Sequence, residues 1–210
     1  MPYTRGTSNN IIVGAAAFFI NDTTLTPATS ASVAVIDSSE SYKTTLSAAA
    51  SYTNVGYTMN GLELQFQPDF GEVQVDQVLD VARLFKQGMQ VNLATAFAEA
   101  TLENLLVALA YSDSKLTGNK NASTGQTLNL SAGDIGDVPI ERAICAVGPG
   151  SGDPLTFDDK ERIYIAYRAL SIENVTVSAK RDEASMFEVS FRLLPNDDAS
   201  YGKIVDRSLA

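Results

Sequence analysis

Residues 61–110, GLELQFQPDFGEVQVDQVLDVARLFKQGMQVNLATAFAEATLENLLVALA, contain the two periodic patterns on which a fold prediction can rest. Leu62, Leu64 and Phe66 alternate with polar residues, which is the two-residue period of a strand with one buried and one wet side. A second alternation of this kind follows further along the stretch. The apolar spacing then becomes helical, and the positions that carry it are Leu102, Leu105, Leu106 and Leu109. The stretch therefore predicts two strands followed by an amphipathic helix over about residues 98–110.

Between these two strands the signals are less regular. Pro68 and Gly71 predict a break in the first strand, because proline lacks a backbone donor and glycine weakens a strand. Val81, Leu84 and Phe85 then have a spacing that suits one helical turn over residues 80–88.

Further strands are predicted on both sides of this stretch. The apolar run at residues 11–20 reads as a buried strand, and residues 138–147 read as a further strand. Alternation near the carboxyl end predicts three more, around residues 163–167, 175–179 and 187–193. The last two are joined by a segment of turn length, which predicts an antiparallel hairpin between them. The chain is therefore expected to be mainly β (α+β), an antiparallel β-sandwich or barrel of two packed sheets with one flanking α-helix.

The length of 210 residues favours a single domain spanning 1–210. Three segments lack a core pattern: residues 1–10 read as an amino-terminal arm, residues 21–54 as a long Ser/Thr/Ala-rich loop or arm, and residues 196–210 as a carboxyl-terminal tail. The longest apolar run is about half the roughly 20 residues that a membrane span requires, so no membrane association is expected.

The inventory of reactive side chains is unfavourable for catalysis. The chain has no histidine, which removes the Ser-His-Asp and Cys-His pairs and most zinc sites. Cys145 lies in an apolar run and is expected to be a buried structural thiol. The glycine-rich segment 148–154 lacks the Gly-Lys-Ser/Thr ending of a phosphate-binding loop and reads as a turn. We therefore expect a protein that is not an enzyme and that has no catalytic, cofactor or metal site.

The charge pattern is more informative. The 25 acidic and 15 basic residues give a net charge of -10, which disfavours a simple electrostatic grip on nucleic acid. The polar sides of the two strands lack lysine and arginine, although a solvent-facing sheet normally mixes both charges. Their residues are Glu63, Gln65, Gln67, Gln90 and Asn92.

The order GLELQFQP, EVQVDQ, LFKQGMQVNL and AEATLENLLVAL resembles the core of the tail tube proteins, the major tail proteins of long-tailed bacteriophages. The most similar segment is AEATLENLL at residues 98–106, and the ending YGKIVDR at residues 201–207 is similar more loosely. The resemblance does not extend to residues 1–60.

The resemblance implies a sandwich closed by one helix, assembled as hexameric rings that stack into a hollow tube, a fold shared with the inner tube of type VI secretion systems. It implies a structural virion protein of the phage tail, assembled in the host bacterial cytoplasm. Its partners would be further copies of itself, the tape measure, terminator and distal tail proteins, and double-stranded DNA that passes during ejection without tight binding. Two alternatives stay open: another structural virion protein, such as a tail terminator, baseplate or capsid decoration protein, or a ligand-binding sandwich domain.

Under this resemblance an acidic, lysine-poor lumen would avoid trapping the DNA, because basic contacts release counterions and hold phosphates. The lumen-lining candidates are Glu63, Gln65, Gln67, Gln90 and Asn92, with Glu72, Gln74 and Asp76 as a second set. The leucines expected to pack the helix on the sheet are Leu102, Leu105, Leu106 and Leu109.

Overall fold

The computed structural model describes residues 14–21, 52–77, 80–133, 135–136, 139–150, 160–177, 181 and 184–208. The strands are β1 (Ala17–Asn21), β2 (Tyr52–Asn54), β3 (Thr58–Val73), β4 (Arg83–Phe97), β5 (Leu116–Gly118), β6 (Gln126–Leu128), β7 (Arg142–Pro149), β8 (Lys160–Ser171), β9 (Phe187–Leu193) and β10 (Gly202–Ser208). Helix α1 spans Leu102–Ala108, and a 3-10 turn spans Asp113–Lys115. The predicted arm 1–10 and most of the predicted loop 21–54 lie outside the described residues, although β2 falls within the end of that loop.

The predicted fold class is confirmed: the described chain is mainly β, with antiparallel pairing throughout and one short α-helix. Eight strands form one sheet in the order β2-β1-β7-β8-β9-β4-β3, with β10 also paired to β8, while β5 and β6 form a separate small hairpin. Strand β8 joins the two halves of the large sheet. Its first half pairs with β10 and its last residues, 169–171, pair with β9.

The large sheet folds over on itself around a core of aromatic side chains. The ring of Phe18 in β1 lies 5.7 Å edge-on from Phe97 in β4 and 6.1 Å from Phe191 in β9, measured between centroids. All three side chains are buried. Such pairs add about 0.5–1.5 kcal/mol to the stabilisation that burial provides. Through these contacts the β1-β7-β8 half of the sheet packs against the β9-β4-β3 half.

The other side of β1, β7 and β8 is buried as well. Phe19, Cys145 and Ile163 form part of a second apolar cluster, with exposures of 1% or less. A strand buried on both faces has a continuous apolar run instead of an alternation. This explains the unbroken apolar run from Ala143 to Val147 in β7, which lies within the predicted strand 138–147.

Strands β3 and β4 form a long hairpin that begins with a backbone irregularity. Asn60 and Gly61 adopt left-handed φ values of 64° and 72°, and the pairing register shifts between Met59 and Glu63. Glycine and asparagine are the residues that tolerate this region. The Thr95 hydroxyl donates to the Gly61 carbonyl at 2.8 Å, which satisfies a backbone group that the shift removes from the ladder.

The expected break in β3 and the expected helical turn over residues 80–88 were both wrong. β3 continues through Pro68 and Gly71, and most of the predicted turn lies within β4. Proline is tolerated because β3 is an edge strand, where a missing donor costs little. Long-range pairing with β3 overrides the short helical spacing of Val81, Leu84 and Phe85.

Helix α1 is shorter than the predicted 98–110, for reasons visible at both ends. Thr101 caps the amino terminus, with its hydroxyl accepting from the Asn104 backbone N–H at 3.2 Å. At the other end, Ala110 adopts a φ of 54°, and the amides of Ala110 and Tyr111 donate to Val107 and Leu106. This left-handed closure ends the helix.

Two predictions near the carboxyl end need correction. Residues 175–177 are not a strand, and β9 pairs with β4 and β8 instead of forming the predicted hairpin. The predicted tail 196–210 contains β10, which is tied to β8 by paired charges. Arg162 donates to Asp206 through two bonds of 2.6 Å, and Arg207 donates to Glu161 at 3.1 Å. These ionic partners are far apart in sequence, so a local pattern does not reveal them.

Nowhere in the described part of the chain does a helix have the length and apolar character needed to span a bilayer.

Asn104 should be needed for the stable attachment of α1. Its buried amide donates to the carbonyls of Val55 at 2.8 Å and Glu99 at 2.9 Å. Replacing it as Asn104→Leu leaves these oxygens without their donor, and we expect a loss of about 1–3 kcal/mol in the free energy of unfolding, measured by urea titration. The exposed Asn129→Leu is the control; equal midpoints for the two variants would contradict the role assigned to Asn104.

The Arg162–Asp206 pair should make stability depend on pH. Hydrogen bonds from Arg162 lower the pKa of Asp206. The contribution of the pair is therefore complete above the unfolded pKa of about 4 and is lost as the pH falls through the lowered folded pKa. Because both side chains are partly exposed, we expect Asp206→Asn to cost at most about 1 kcal/mol at pH 7. The difference in the free energy of unfolding between this variant and wild type should shrink as the pH is lowered below the pKa of Asp206. Urea titrations at pH 7 and at an acidic pH measure it.

The control for this test is Asp69→Asn, which removes an exposed carboxylate with no ion pair among the described residues. It should behave like wild type at either pH. A destabilisation by Asp206→Asn that stays constant into acid would show that the ion pair is not its cause.

Candidate functional site

The structure brings together the five polar residues first selected from the sequence. In the β3–β4 pairing, Glu63 lies opposite Ala94, Gln65 opposite Asn92, and Gln67 opposite Gln90. Directly paired residues point to the same side of a sheet, so all five side chains share one face. The three residues on β3 are exposed, and the two on β4 are half-buried.

Hydrogen bonds run along each strand of this face. The Gln65 side-chain amide donates to the Glu63 carboxylate at 2.8 Å, and the Gln90 amide donates to Asn92 Oδ1 at 3.2 Å. Each bond joins side chains two residues apart, which is the spacing of neighbours on one side of a strand. The face thus presents rows of mostly neutral hydrogen-bonding groups to solvent.

The opposite side of the same hairpin belongs to the core. Leu64 pairs with Leu93, and both Leu93 and Val91 are buried. The alternation in the sequence therefore corresponds to the two sides of β4, with polar side chains on one side and apolar side chains on the other. A register slip of one residue would exchange the two sides.

Strand β9 adds two residues that the sequence reasoning missed. Arg192 pairs with Asn92 and Glu188 pairs with Ala96, so both extend the same face, and both are exposed. The alternation of β9 already marks them as residues of a polar side, but the sequence does not show that β9 lies beside β4. We define the polar sheet face as Glu63, Gln65, Gln67, Gln90, Asn92, Glu188 and Arg192. It has two acidic groups and one basic group, so positive charge is scarce on it but not absent.

Carboxylates gather at one end of this face. Glu63, Glu173 and Glu188 line one shallow depression beside the Gly61 irregularity. Among the described residues no group of three or more acidic or thiol side chains has a geometry that could hold a metal ion. The depression is therefore a local concentration of negative charge on the surface.

The second set of lumen candidates does not share this face. Strand alternation places Glu72 on the opposite side of β3 from Glu63, Gln65 and Gln67, since β3 has no inserted residue between them. Gln74 and Asp76 follow the end of β3 and belong to the connection to β4. All three side chains are exposed, but the structure does not bring them together with the first set.

The four helix leucines have different environments. Leu106 is 3% exposed and Leu105 packs against the core, whereas Leu102 and Leu109 are half-buried. The rest of the buried helix surface comes from Asn104, Val107 and Ala108, which a search for leucine spacing overlooks.

Cys145 is fully buried in the apolar cluster on β7, as the sequence predicts. Burial, with a smaller effect of the nearby Glu161 charge, raises the pKa of its thiol to about 12. The group is therefore protonated at neutral pH and is a poor nucleophile.

No protein-family model matches the chain, and no curated protein has significant sequence similarity to it.

The two sides of the hairpin should respond in opposite ways to the same added charge. Gln65→Lys places an ammonium group on the exposed side and should change the free energy of unfolding by no more than about 0.5 kcal/mol. Leu93→Lys places it at a position 2% exposed and should prevent stable folding. Thermal melts followed by circular dichroism measure both, and a folded Leu93→Lys variant would contradict the face assignment.

Proposed function

We propose that this chain is a structural subunit that assembles into rings, and that the rings stack into the tail tube of a long-tailed bacteriophage, through which double-stranded DNA passes. The observation that carries the proposal is the polar sheet face, a row of amide and carboxylate side chains on strands whose other side is the core. The sequence resemblance in residues 61–110 supports the same assignment.

The chemistry of the polar sheet face suits a wall along which DNA moves. Phosphate contacts from lysine and arginine release counterions and account for most nonspecific affinity for DNA. Here the wall is formed by glutamine, asparagine and glutamate, and Arg192 is the one cation among its seven side chains. The net charge of -10 also disfavours DNA binding, because it repels the phosphates over a longer range. DNA would pass along a hydrated surface that has few sites able to bind its phosphates.

The edge of the sheet suits self-assembly. β3 is 16 residues long and pairs with β4, and no other described strand lies on its second edge. Exposed strand edges of this length readily pair with another chain, and natural proteins usually protect them. Neighbouring copies that align here would continue the polar sheet face from one subunit to the next, which is the geometry of a channel wall.

This proposal places the protein in the virion tail, assembled in the bacterial cytoplasm. Its partners are other copies of itself, six to a ring according to the resemblance, and the tape measure, terminator and distal tail proteins. It has no catalytic role.

Electron microscopy of the negatively stained, purified chain tests the assembly directly. We expect open rings or filaments of uniform bore at high protein concentration, or in the presence of a tail-initiating complex. A chain that stays monomeric under both conditions would overturn the proposal.

Lysine substitutions test the wall separately. Gln65→Lys with Gln90→Lys should leave assembly intact but make the tubes retain double-stranded DNA, with an affinity that falls steeply as salt increases. Asn129→Lys adds a charge at an exposed position in the β6–β7 connection and serves as the control. DNA retention is measured by co-sedimentation over a salt series. Equal retention by the control and the double variant would show that the polar sheet face is not the surface that DNA meets.

A further inference from the structure

Strand β10 lies at an edge of the large sheet and is only partly buried there. The described residues 202–207 are all half-buried or exposed, and among the described strands β10 pairs with β8 alone. Of its two aliphatic side chains, Ile204 is 51% exposed and Val205 is partly buried against the second apolar cluster. An element with little buried apolar surface opens at a lower free-energy cost than the core strands.

The contacts that hold β10 on β8 are specific, but they do not depend on the covalent connection between the two strands. They are the antiparallel ladder and the two ion pairs Arg162–Asp206 and Glu161–Arg207. The second pair is nearly enclosed, with side-chain exposures of 9% for Glu161 and 15% for Arg207. Each of these contacts joins a group on β8 to a group on β10. The β10 of another copy would therefore meet the same partners in the same register.

The connection from β9 to β10 contains a strained turn. Its start is fixed, because Arg168 donates to the Pro195 carbonyl at 3.0 Å. The turn that follows is closed by the Asn196 N–H, which donates to the Ser200 carbonyl at 2.9 Å, and within it Ala199 adopts a φ of 61°. This left-handed conformation is unfavourable for alanine, which has neither the freedom of glycine nor a polar side chain to bond the backbone. Opening the turn releases the strain, and short connections under strain favour exchange of the element that they carry.

The connection is long enough to reach another molecule once the turn opens. Residues 196–201 span about 20 Å when extended, at roughly 3.3 Å per residue. Opening also leaves the edge of β8 at residues 160–166 without its strand. Unpaired strand edges readily accept another strand. The strand that matches this edge in length, register and charge is the β10 of a second copy.

We propose that β10 is exchanged between copies, so that the β10 of one molecule pairs with the β8 of the next. Exchange replaces each strand contact by an identical one, so its free-energy cost is low, and release of the turn at Ala199 favours it. A strand on a short tether has an effective concentration in the millimolar range, so exchange is favoured where copies are concentrated, as they are in an assembly.

Onward exchange links more than two molecules. When each copy donates β10 to the next and accepts β10 from the previous one, the copies are joined into a closed ring or an open filament. This inference rests on the proposed function and identifies the strand that links its subunits.

Mixed cysteine variants detect the exchange directly. Arg162 and Asp206 lie directly opposite each other in the β8–β10 ladder, at a separation that a disulfide can bridge. One preparation carries Arg162→Cys and the other carries Asp206→Cys, so neither chain can form this disulfide within itself. The native Cys145 is buried and does not compete. Mild oxidation of the mixture should therefore link positions 162 and 206 of two different chains.

The control mixture combines Arg162→Cys with Leu130→Cys, because Leu130 is 74% exposed and lies in the connection that follows β6. At about 0.1–1 mM protein, near the effective concentration of the tethered strand, the 162–206 heterodimer should exceed the control heterodimer at least about tenfold. Nonreducing electrophoresis measures both yields, and peptide mass spectrometry identifies the linked residues. Equal yields in the two mixtures would overturn the exchange.

A chain that carries both Arg162→Cys and Asp206→Cys tests whether the exchange links the subunits. Oxidised in dilute solution, it forms the disulfide within one chain and keeps β10 on its own β8. The locked chain should need at least about tenfold more protein to assemble than the same chain after reduction, as expected when a contact between subunits is lost. Analytical ultracentrifugation over a concentration series measures both forms.

The outcomes separate the exchange from the proposed function. Assembly of the locked chain at the concentration that suffices for the reduced chain would overturn the exchange while leaving the proposed function intact. A specific 162–206 heterodimer from chains that form neither rings nor filaments would support the exchange and overturn the tube.

Discussion

The pairing of β4 with β3 on one edge and β9 on the other is the constraint on which the rest of this structure depends. It fixes which side of three strands faces Phe18 and the core and which side faces solvent. Because successive side chains on a strand point to opposite sides, a shift of one residue would expose Val91 and Leu93 and bury Gln90 and Asn92. Burying these two amides would leave most of their donors and acceptors without partners and would cost several kcal/mol, so the register is strongly determined.

The same constraint creates the surfaces that a proposed tube subunit needs. Fixing the register gives β4 a polar face of hydrogen-bonded amides, with Arg192 and Glu188 added by β9. The pairing with β9 stops at Val91, so the hairpin continues outward beyond β9 and leaves Phe70 and Leu84 largely exposed. A polar face and an exposed outer hairpin thus arise from one pair of strands.

Much of the fold could be predicted because the strand and helix periods are local properties. The mainly β class, the helix after two strands and the grouping of Glu63, Gln65 and Gln67 all follow from side-chain alternation within a few residues. The predictions that were wrong share one cause: the structure of each segment depends on pairing with another strand, which a local pattern does not show. Residues 80–88 became a strand because β3 lies beside them, and the predicted tail gained β10 because of pairing with β8. Glu72 does not share the face of Glu63 because β3 continues without the expected break at Pro68 and Gly71, so the alternation runs on in the same phase.

The sequence by itself determined the alternation of β3 and β4, the presence of one amphipathic helix after them, the scarcity of positive charge and the absence of histidine. These properties depend on residue types and on spacings of two to four positions. The tertiary structure alone decided that β9 adds Arg192 and Glu188 to the polar sheet face, that Asn104 holds the helix through the carbonyls of Val55 and Glu99, and that β10 pairs with β8. Each of these outcomes requires two segments to meet in space, and the free energy that brings them together comes from burial of the shared core, which no local pattern specifies.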